Sequence, residues 1–390
     1  MAVKSIFAAL CIAAILATAA PFLKKDDWWI RAFDFPRVQI CVLTMMLAIA
    51  LLFIFGDSGI WHYGLVLILI LCAGYQWVKI HPYTWLAKKQ VIRARPAARS
   101  SSVSVLVANV FTPNRRAAEL LKIIEKKSPD MVLTLESDAW WEQKLRPLEA
   151  DYPYRVKNPS DNLYGMHLYS RLELVDPEVK YLVEEDIPSI HTSVQMRNGH
   201  QLRLYCLHPT PPSPTESETS TERDAELLMV AKHISQKQGP VIVAGDLNDV
   251  AWSRTTKLFQ DISGLLDPRV GRGFFSTFHA RYPLMRWPLD HIFHSNDFTL
   301  VSIQRLPYFG SDHFPLFAEI NHQPRAESFQ EKPEARAADK EWAEEKIKKA
   351  APDGGQLPLA LHPIQRLIST DDPIFLSGYH YLETVVQEML

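Results

Sequence analysis

Cysteine is scarce in this sequence, with four in 390 residues. Cys11, Cys41 and Cys72 lie in apolar stretches, so only Cys206 remains in the polar part of the chain. Neither a zinc-binding spacing nor a disulfide framework can be built from these positions. Cysteine therefore gives no information about the compartment in which the protein works.

An excess of positive charge is also absent, because the formal net charge is -2. Residues 103–322 carry 23 Lys and Arg against 28 Asp and Glu. A dedicated DNA-binding domain usually has a basic face, and this balance argues against one. No internal repeat is visible either. These absences leave a globular domain of mixed surface charge.

Long apolar runs are present, and nearly all of them precede residue 80. Three segments, roughly 5–23, 38–55 and 60–78, are each close to the length of about 20 residues that crosses a bilayer. We therefore predict a membrane anchor of three transmembrane helices over residues 1–85. The first segment also resembles a cleavable signal peptide, because Lys4 precedes the apolar run and Ala17-Thr18-Ala19 follows it.

The distribution of basic residues bears on the orientation of this anchor. Lys and Arg occur in the first link and after the third segment, whereas the second link, GDSGIWHYG, has none. The positive-inside rule then places the soluble domain in the cytoplasm. The first link lies on the same side only if the second and third segments form a hairpin; a signal-like first helix would place the domain outside.

Strand and helix patterns alternate after a basic linker at 86–102. VSVLVANV reads as a strand, AAELLKIIEKKSPD as an amphipathic helix and MVLTLESD as the next strand. The alternation continues to PLFAEIN and predicts a layered α/β domain over 103–322. Residues 323–390 form a charged tail, partly helical or disordered, in which LETVVQEML could be a short docking helix.

Polar side chains follow several of these strands. Asp246 and Asn248 end VIVAGDLND, where they suit the activation of a water, although an Asx turn would look the same. Glu136 ends VLTLESD, and a carboxylate there suits Mg²⁺. The remaining candidates at strand ends are Asn109, His208, Asp290, Asp312 and His313. Either of the two histidines could have a purely structural role.

The ordered set N…E…H…GDxN…DH…SDH resembles the endonuclease/exonuclease/phosphatase superfamily over about residues 103–322. A membrane-anchored, bacterial-type member of this superfamily would have a four-layered α/β sandwich, with two packed β-sheets flanked by helices. One departure is Phe111, which stands where members that act on abasic DNA carry a second acidic residue. This argues against a second metal ligand there and against abasic-site nuclease activity.

The resemblance also implies roles for individual residues. Three would bind Mg²⁺ or Mn²⁺, with Glu136 as the principal ligand and Asn109 and Asp312 nearby. The catalytic residues would be those that activate water, orient it, contact the phosphate and stabilise the transition state: His208, Asp246, Asn248, Asp290 and His313. Ser170 and Arg171 would be architectural or lie at the rim of the site.

The function predicted from the sequence is hydrolysis of a phosphodiester or phosphomonoester by activated water, at a bacterial inner or cell membrane. The substrate could be a lipid head group, a small phosphoester or a nucleic acid, and the bilayer is the only other partner expected. Two alternatives remain open: a nuclease acting on DNA or RNA, and a non-catalytic membrane-tethered module that retains the fold. No obligate protein partner is predicted.

Overall fold

The computed structural model describes residues 2–54, 60–95 and 98–350. Helix α1 (Ala2–Ala19) is followed by the short helix α2 (Trp28–Arg31), and then by α3 (Arg37–Ile54) and α4 (Ile60–Ile80). The proposed docking helix LETVVQEML and residues 56–59 of the second link lie outside the described residues.

Two helical stretches of the described chain, Lys4–Leu23 and His62–Tyr83, are long and apolar enough to cross a membrane. A third counts if Trp28–Asp34 and Arg37–Phe53, which are bent by 70°, are taken as one span. The sequence predicted three membrane spans. The described residues contain two candidate spans, or three if the bent pair is one span.

The three apolar helices pack together through a small core that includes Cys11, Leu47 and Leu69. At the other end of this bundle, Arg37 Nη1 donates to Gln76 Oε1 at 2.9 Å, and Gln76 Nε2 donates to Thr18 Oγ1 at 3.2 Å. These bonds join the end of α1, the start of α3 and the end of α4. The three helix ends therefore lie at one level.

Eleven strands lie in the described residues, and they form two mixed sheets. The first sheet has the order β10-β11-β1-β2-β4-β3, and the second has the order β5-β6-β7-β8-β9. The pairs β1–β2 and β7–β8 are parallel, and the other neighbours are antiparallel. The strands are β1 (Ser102–Asn109), β2 (Met131–Leu135), β3 (Tyr154–Asn158), β4 (Met166–Ser170), β5 (Leu174–Lys180), β6 (Ser189–Gln195), β7 (Gln201–Leu207), β8 (Val241–Asp246), β9 (Asp290–His294), β10 (Phe298–Arg305) and β11 (Leu316–His322).

The two sheets face each other across one apolar core, and helices cover their outer faces. Val105 and Leu133 of the first sheet meet Ile190 and Leu204 of the second in this core. Fully burying each such side chain contributes about 1.5–3 kcal/mol. The predicted four-layered sandwich is confirmed. The covering helices are α5 (Ala117–Lys127), α6 (Ala139–Leu145), α7 (Thr221–Ser235) and α8 (Arg254–Ser263), with α9 (Ala337–Ala350) packed on the last two.

The basic segment before β1 packs on the sandwich. Val91 is buried in the core between the sheets, and Ala94 N–H donates to the carbonyl of Leu300 at 2.9 Å. A Cβ at Gly271 would lie 2.7 Å from the Cα of Lys89, so the chain approaches closely there. No local sequence pattern indicated these contacts, because they join positions more than 180 residues apart.

The first link also packs on the sandwich. Trp28 N–H donates to the carbonyl of Glu218 at 2.9 Å, and Ser220 N–H donates to the carbonyl of Asp26 at 2.8 Å. Lys346 of α9 contacts Asp26 and donates to Asp224 at 2.6 Å. The first link and the sandwich are therefore on the same side of the helical bundle, with α3 and α4 as a hairpin between them.

Candidate active site

Polar side chains converge at one edge of the two sheets. Asn109 ends β1 and Glu136 follows β2, and because these strands are parallel their carboxyl ends meet at the same edge. Asp246 ends β8, opposite Asp290 at the start of the antiparallel strand β9. His208 joins them from the loop after β7, and Asp312 and His313 join them from the loop before β11. One cleft of about 290 Å³ is lined by six of the predicted residues: Glu136, His208, Asp246, Asn248, Asp312 and His313.

Gly245 allows β8 to deliver Asp246 to this edge. Its φ is 152°, and a Cβ there would lie 1.9 Å from the carbonyl oxygen of Leu207 on the neighbouring strand. Only a residue without a side chain permits this approach.

Asn109 connects the two carboxylates of the cleft. Its Nδ2 donates to Glu136 Oε1 at 2.7 Å and to Asp246 Oδ2 at 3.2 Å. Its Oδ1 accepts the backbone N–H of Phe111 at 3.0 Å. The amide therefore holds Glu136 and Asp246 in a fixed relation, and its direct binding to a metal ion stays a prediction.

Three residues around the cleft adopt left-handed backbone conformations, which cost free energy in residues with a side chain. The φ angles are 55° for Phe111, 59° for Glu136 and 50° for Asn248. Thr112 Oγ1 donates to the carbonyl of Glu136 at 2.7 Å and helps to hold this conformation. Each of the three follows the end of a strand, where the turn directs the chain across the cleft.

His313 lies between two buried carboxylates. Its Nδ1 is 2.7 Å from Asp290 Oδ2, and its Nε2 is 3.5 Å from Asp246 Oδ2. Burial disfavours the charged imidazole, but the charges of Asp290 and Asp246 outweigh burial and raise the pKa of His313 to about 10. His313 is therefore an imidazolium at neutral pH, with Nδ1–H donated to Asp290 and Nε2–H directed toward the cleft.

The two carboxylates joined by Asn109 have raised pKa values. Burial raises the pKa of Glu136 to about 7, against the opposing effect of the Asn109 hydrogen bond. Burial also raises the pKa of Asp246, although His313 opposes it. Together with Asp312, they gather three carboxyl groups beside the single imidazole of His313.

A cleft lined by carboxyl and amide oxygens fits a hard divalent cation such as Mg²⁺ or Mn²⁺. Glu136 and Asp312 offer carboxylate oxygens to it. Ligand atoms of Asp246, Asp290 and His313 also lie within 4.8 Å of one another and could hold an ion. The 2.7 Å bond between His313 and Asp290 favours an imidazolium there, and a metal ligand must be neutral imidazole. Binding of the ion on the Glu136 side therefore stays a prediction.

His208 and Asn248 complete the predicted set. Burial lowers the pKa of His208 to about 4, so its ring is neutral, and its Nδ1 has no hydrogen-bond partner among the described residues. Asn248 N–H donates to Asp246 Oδ1 at 3.0 Å, and its side-chain Nδ2 donates to the carbonyl of Pro209 at 2.9 Å. All eight predicted residues lie at this edge, and their roles stay predictions.

Sequence reasoning missed several residues of the site. Ser311 Oγ donates to the carbonyl of Asn109 at 2.8 Å and accepts the N–H of His313 at 3.0 Å, which ties the β11 loop to β1. Phe278, whose ring centroid is 5.0 Å from that of His313, and Phe35 both line the cleft. Ser311 could have been identified from the sequence, because it is the serine of the SDH motif. Nothing in the sequence brings Phe35 near residue 313.

Ser170 and Arg171 lie at the opposite end of the first sheet. Ser170 pairs with Met131, the first residue of β2, and Arg171 Nη1 donates to Ser128 Oγ at 2.6 Å. These contacts fit an architectural role and not a place at the rim.

A sandwich of this kind, with acidic and imidazole groups gathered at one sheet edge, defines a class of phosphoester-cleaving proteins. The model of the Endonuclease/Exonuclease/phosphatase family matches residues 106–313, which is more than half of the chain. The chain belongs to this family, whose members are metal-dependent hydrolases of phosphoester bonds.

Solved structures of this fold are similar to the chain at low identity. D. rerio TDP2 complexed with a single strand DNA product is 19% identical, covering 57% of this chain and 99% of that one, with a TM-score of 0.48. An endonuclease/exonuclease/phosphatase from Beutenbergia cavernae DSM 12333 is 17% identical over 57% and 72%, with a TM-score of 0.47. The human nocturnin catalytic domain with bound sulfate is 18% identical over 58% and 96%, also at 0.47. No curated protein matches the sequence significantly.

Proposed function

We propose that this chain is a membrane-anchored phosphoesterase that depends on a divalent cation and hydrolyses a phosphodiester or phosphomonoester with an activated water. The observation that supports it is the convergence of Glu136, Asp246 and the His313–Asp290 pair in one cleft. An enzyme of this type needs a base for the water, a donor for the phosphoryl oxygen and a site for the cation.

In this proposal Glu136 and Asp312 hold the cation, and Asn109 fixes the position of Glu136. When bound, a divalent cation polarises a phosphoryl oxygen and offsets the negative charge of the cleft. Asp246 orients the water and accepts its proton. Its carboxylate is kept in place by the amide of Asn109 and by the backbone N–H of Asn248.

His313 supplies the stabilising donor. Its Nε2–H points into the cleft and would donate to a phosphoryl oxygen whose charge increases in the transition state. Asp290 is a positioning residue, because it accepts the Nδ1–H and keeps the ring charged. The neutral His208, which lines the same cleft, can bind the phosphate or assist the leaving group.

The membrane anchor also belongs to the proposal. The first link and the sandwich lie on the same side of the α3–α4 hairpin, and Lys24, Lys25, Lys88 and Lys89 are on that side too. The positive-inside rule then favours a cytoplasmic sandwich. A reporter fused after residue 350 tests this, since activity only of a reporter that works outside the cell would reverse the orientation.

The catalytic proposal is tested with the full-length chain in detergent. We expect turnover of bis(4-nitrophenyl) phosphate or 4-nitrophenyl phosphate that stops with EDTA and returns with Mg²⁺ or Mn²⁺. Asp246→Ala should reduce the rate to background, whereas Asp297→Ala, far from the cleft, should not reduce it to background. Turnover in EDTA, or an active Asp246→Ala variant, would refute the mechanism.

A further inference from the structure

One side of the cleft is formed by the membrane anchor. Phe35, which lies two residues before α3, lines the cleft together with Phe278 and Leu289. Its ring centroid is 5.7 Å from that of Trp287, which stacks on Phe278 at 6.2 Å, and Phe278 contacts His313. A short series of aromatic contacts therefore leads from the start of an apolar helix to the imidazole of the site.

The start of α3 marks the level of the membrane surface. Arg37 is linked through Gln76 to Thr18, so the ends of all three apolar helices coincide there. The 18 residues of α3 extend about 27 Å, close to the hydrocarbon thickness of about 30 Å. Phe35 consequently lies at the boundary between the bilayer and the sandwich.

A second apolar element lies at the same level. The turn of residues 279–286, which we call the apolar turn, is closed by the bridge between Phe278 and Trp287. Its side chains Tyr282, Leu284 and Met285 are 58%, 84% and 52% exposed. Large apolar side chains grouped in this way on a polar domain indicate a surface that contacts an apolar partner.

A hydrogen bond fixes the height of the apolar turn. The carbonyl of Leu284 accepts Nε2 of Gln39 at 2.7 Å, and Gln39 is the third residue of α3. The exposed side chains of the turn therefore lie beside the first turn of that helix. Arg281 and Arg286 flank them, as basic residues flank segments that rest on anionic lipid surfaces.

The composition of the cleft points to the same partner. Apolar side chains, among them Phe35, Leu163 and Phe278, form much of its surface, and of the described residues that line it none is Lys or Arg. A nucleic acid is bound largely through Lys and Arg contacts to its phosphates. A single phosphate attached to an apolar molecule suits this cleft better.

We propose that the cleft opens onto the headgroup layer of the membrane, with Phe35 and the apolar turn as its lipid-facing edge, and that the substrate is a phospholipid of that leaflet. This inference rests on the proposed phosphoesterase function. The apolar turn enters the boundary between head groups and acyl chains, and the phosphoester of a neighbouring lipid reaches Asp246 and His313 without leaving the leaflet.

The test compares two substrates for the same protein. Full-length chain is reconstituted in liposomes of phosphatidylcholine, phosphatidylethanolamine, phosphatidylglycerol, sphingomyelin and phosphatidic acid, and released head groups or phosphate are measured by mass spectrometry. Hydrolysis of the soluble nitrophenyl esters is measured in parallel. The variant Leu284→Glu/Met285→Glu places charge in the turn, and Phe329→Glu, 76% exposed on the opposite end of the first sheet, is the control.

We expect the double variant to lose at least tenfold in lipid hydrolysis while its rate on soluble ester stays within twofold, and the control to keep both rates. Equal effects on both substrates, or lipid hydrolysis unchanged in the double variant, would overturn the inference. Soluble ester hydrolysed without any of the five lipids would overturn it and leave the proposed function intact. A wild-type chain without activity on either substrate refutes the proposed function itself.

A second measurement does not depend on catalysis. A nitroxide attached at Leu284→Cys, in a chain whose four native cysteines are replaced by serine, reports its depth by the ratio of its accessibility to oxygen and to a water-soluble nickel complex. We expect a position at the headgroup–acyl boundary. Full exposure to water would contradict the inference.

Discussion

Replacing Asp290 with Asn removes the negative charge behind His313 and preserves the shape of the side chain. Asp290 is fully buried, and its Oδ2 lies 2.7 Å from Nδ1 of His313. The carboxylate keeps the imidazole charged, with Nε2–H directed to the substrate. An amide cannot supply this charge, so the variant should lose a charged donor to the phosphoryl oxygen.

The size of the expected loss follows from that role. A donor placed on a developing oxyanion contributes about 2.7–4 kcal/mol, which corresponds to a decrease in kcat of about 100- to 1,000-fold. The raised pKa of His313 should fall as well, because Asp290 supplies the largest favourable charge. The alkaline limb of the kcat profile should therefore move toward neutral pH.

The assay is steady-state hydrolysis of the soluble nitrophenyl ester by full-length protein from pH 5 to pH 10.5. Asp297→Asn is the matched control, because Asp297 Oδ2 pairs with Nε2 of His322 at 3.3 Å at the opposite end of the sheet. A structural role alone would lower Tm without moving the pH profile. An Asp290→Asn variant with wild-type kcat and an unmoved alkaline limb would refute this reasoning.

Three further perturbations concern folding and assembly. Gly245→Ala should cost roughly 1–3 kcal/mol of stability and much of the activity, because its Cβ would meet the carbonyl oxygen of Leu207. Acid should destabilise the fold through His191, because burial lowers its pKa to about 3. Between pH 6.5 and 3 only the unfolded chain binds the proton, so each pH unit removes about 1.4 kcal/mol of the free energy of unfolding. In His191→Gln the decrease of Tm with acid should therefore be less steep. Arg31→Met should lower stability by about 3 kcal/mol, because it leaves the buried Asp249 with fewer positive partners.

Matched controls exist for each of the three. Gly199→Ala adds a Cβ into open space, His200→Gln changes an exposed imidazole, and Arg116→Met breaks an exposed ion pair. Each should change Tm less than its counterpart. Gly245→Ala with wild-type Tm, an unchanged acid slope in His191→Gln, or Arg31→Met as stable as Arg116→Met would each contradict the corresponding explanation.

The sequence predicted the strands that are buried on both faces and end in polar residues. β1, β2 and β8 are buried along their whole length and are largely apolar, so their extent and their polar ends were evident. β5 was not predicted, because LVDPEVK contains a proline and is largely exposed. It is an edge strand with a bulge, where a missing N–H costs no ladder bond.

The layered α/β class followed from periodicity, whereas the pairing of two sheets followed from the family resemblance. Helix α9 was predicted only as part of a charged tail without a clear apolar stripe. In the structure Trp342 and Ile347 pack on α7 and α8, and Lys346 is buried against carboxylates from two distant segments. Its place depends on partners that no local pattern contains.

The candidate site was predictable in its polar groups because each stands at a strand end. The contributions of Phe35 and the apolar turn were not, because they depend on how the N-terminal helices pack against the sandwich. The domain boundaries at 85, 102 and 322 stay predictions, and the contacts of Val91 and Asp26 with the sandwich give both links a structural role beyond connection.

Whether Glu136 holds a divalent cation can be measured by electron paramagnetic resonance of Mn²⁺ added to the full-length chain. We expect Mn²⁺ to bind in the cleft, at least tenfold more weakly in Glu136→Gln and unchanged in Glu119→Gln, whose side chain is 38% exposed and pairs with Arg116. Equal affinity in wild-type protein and Glu136→Gln, or no binding by the wild-type chain, would contradict this expectation.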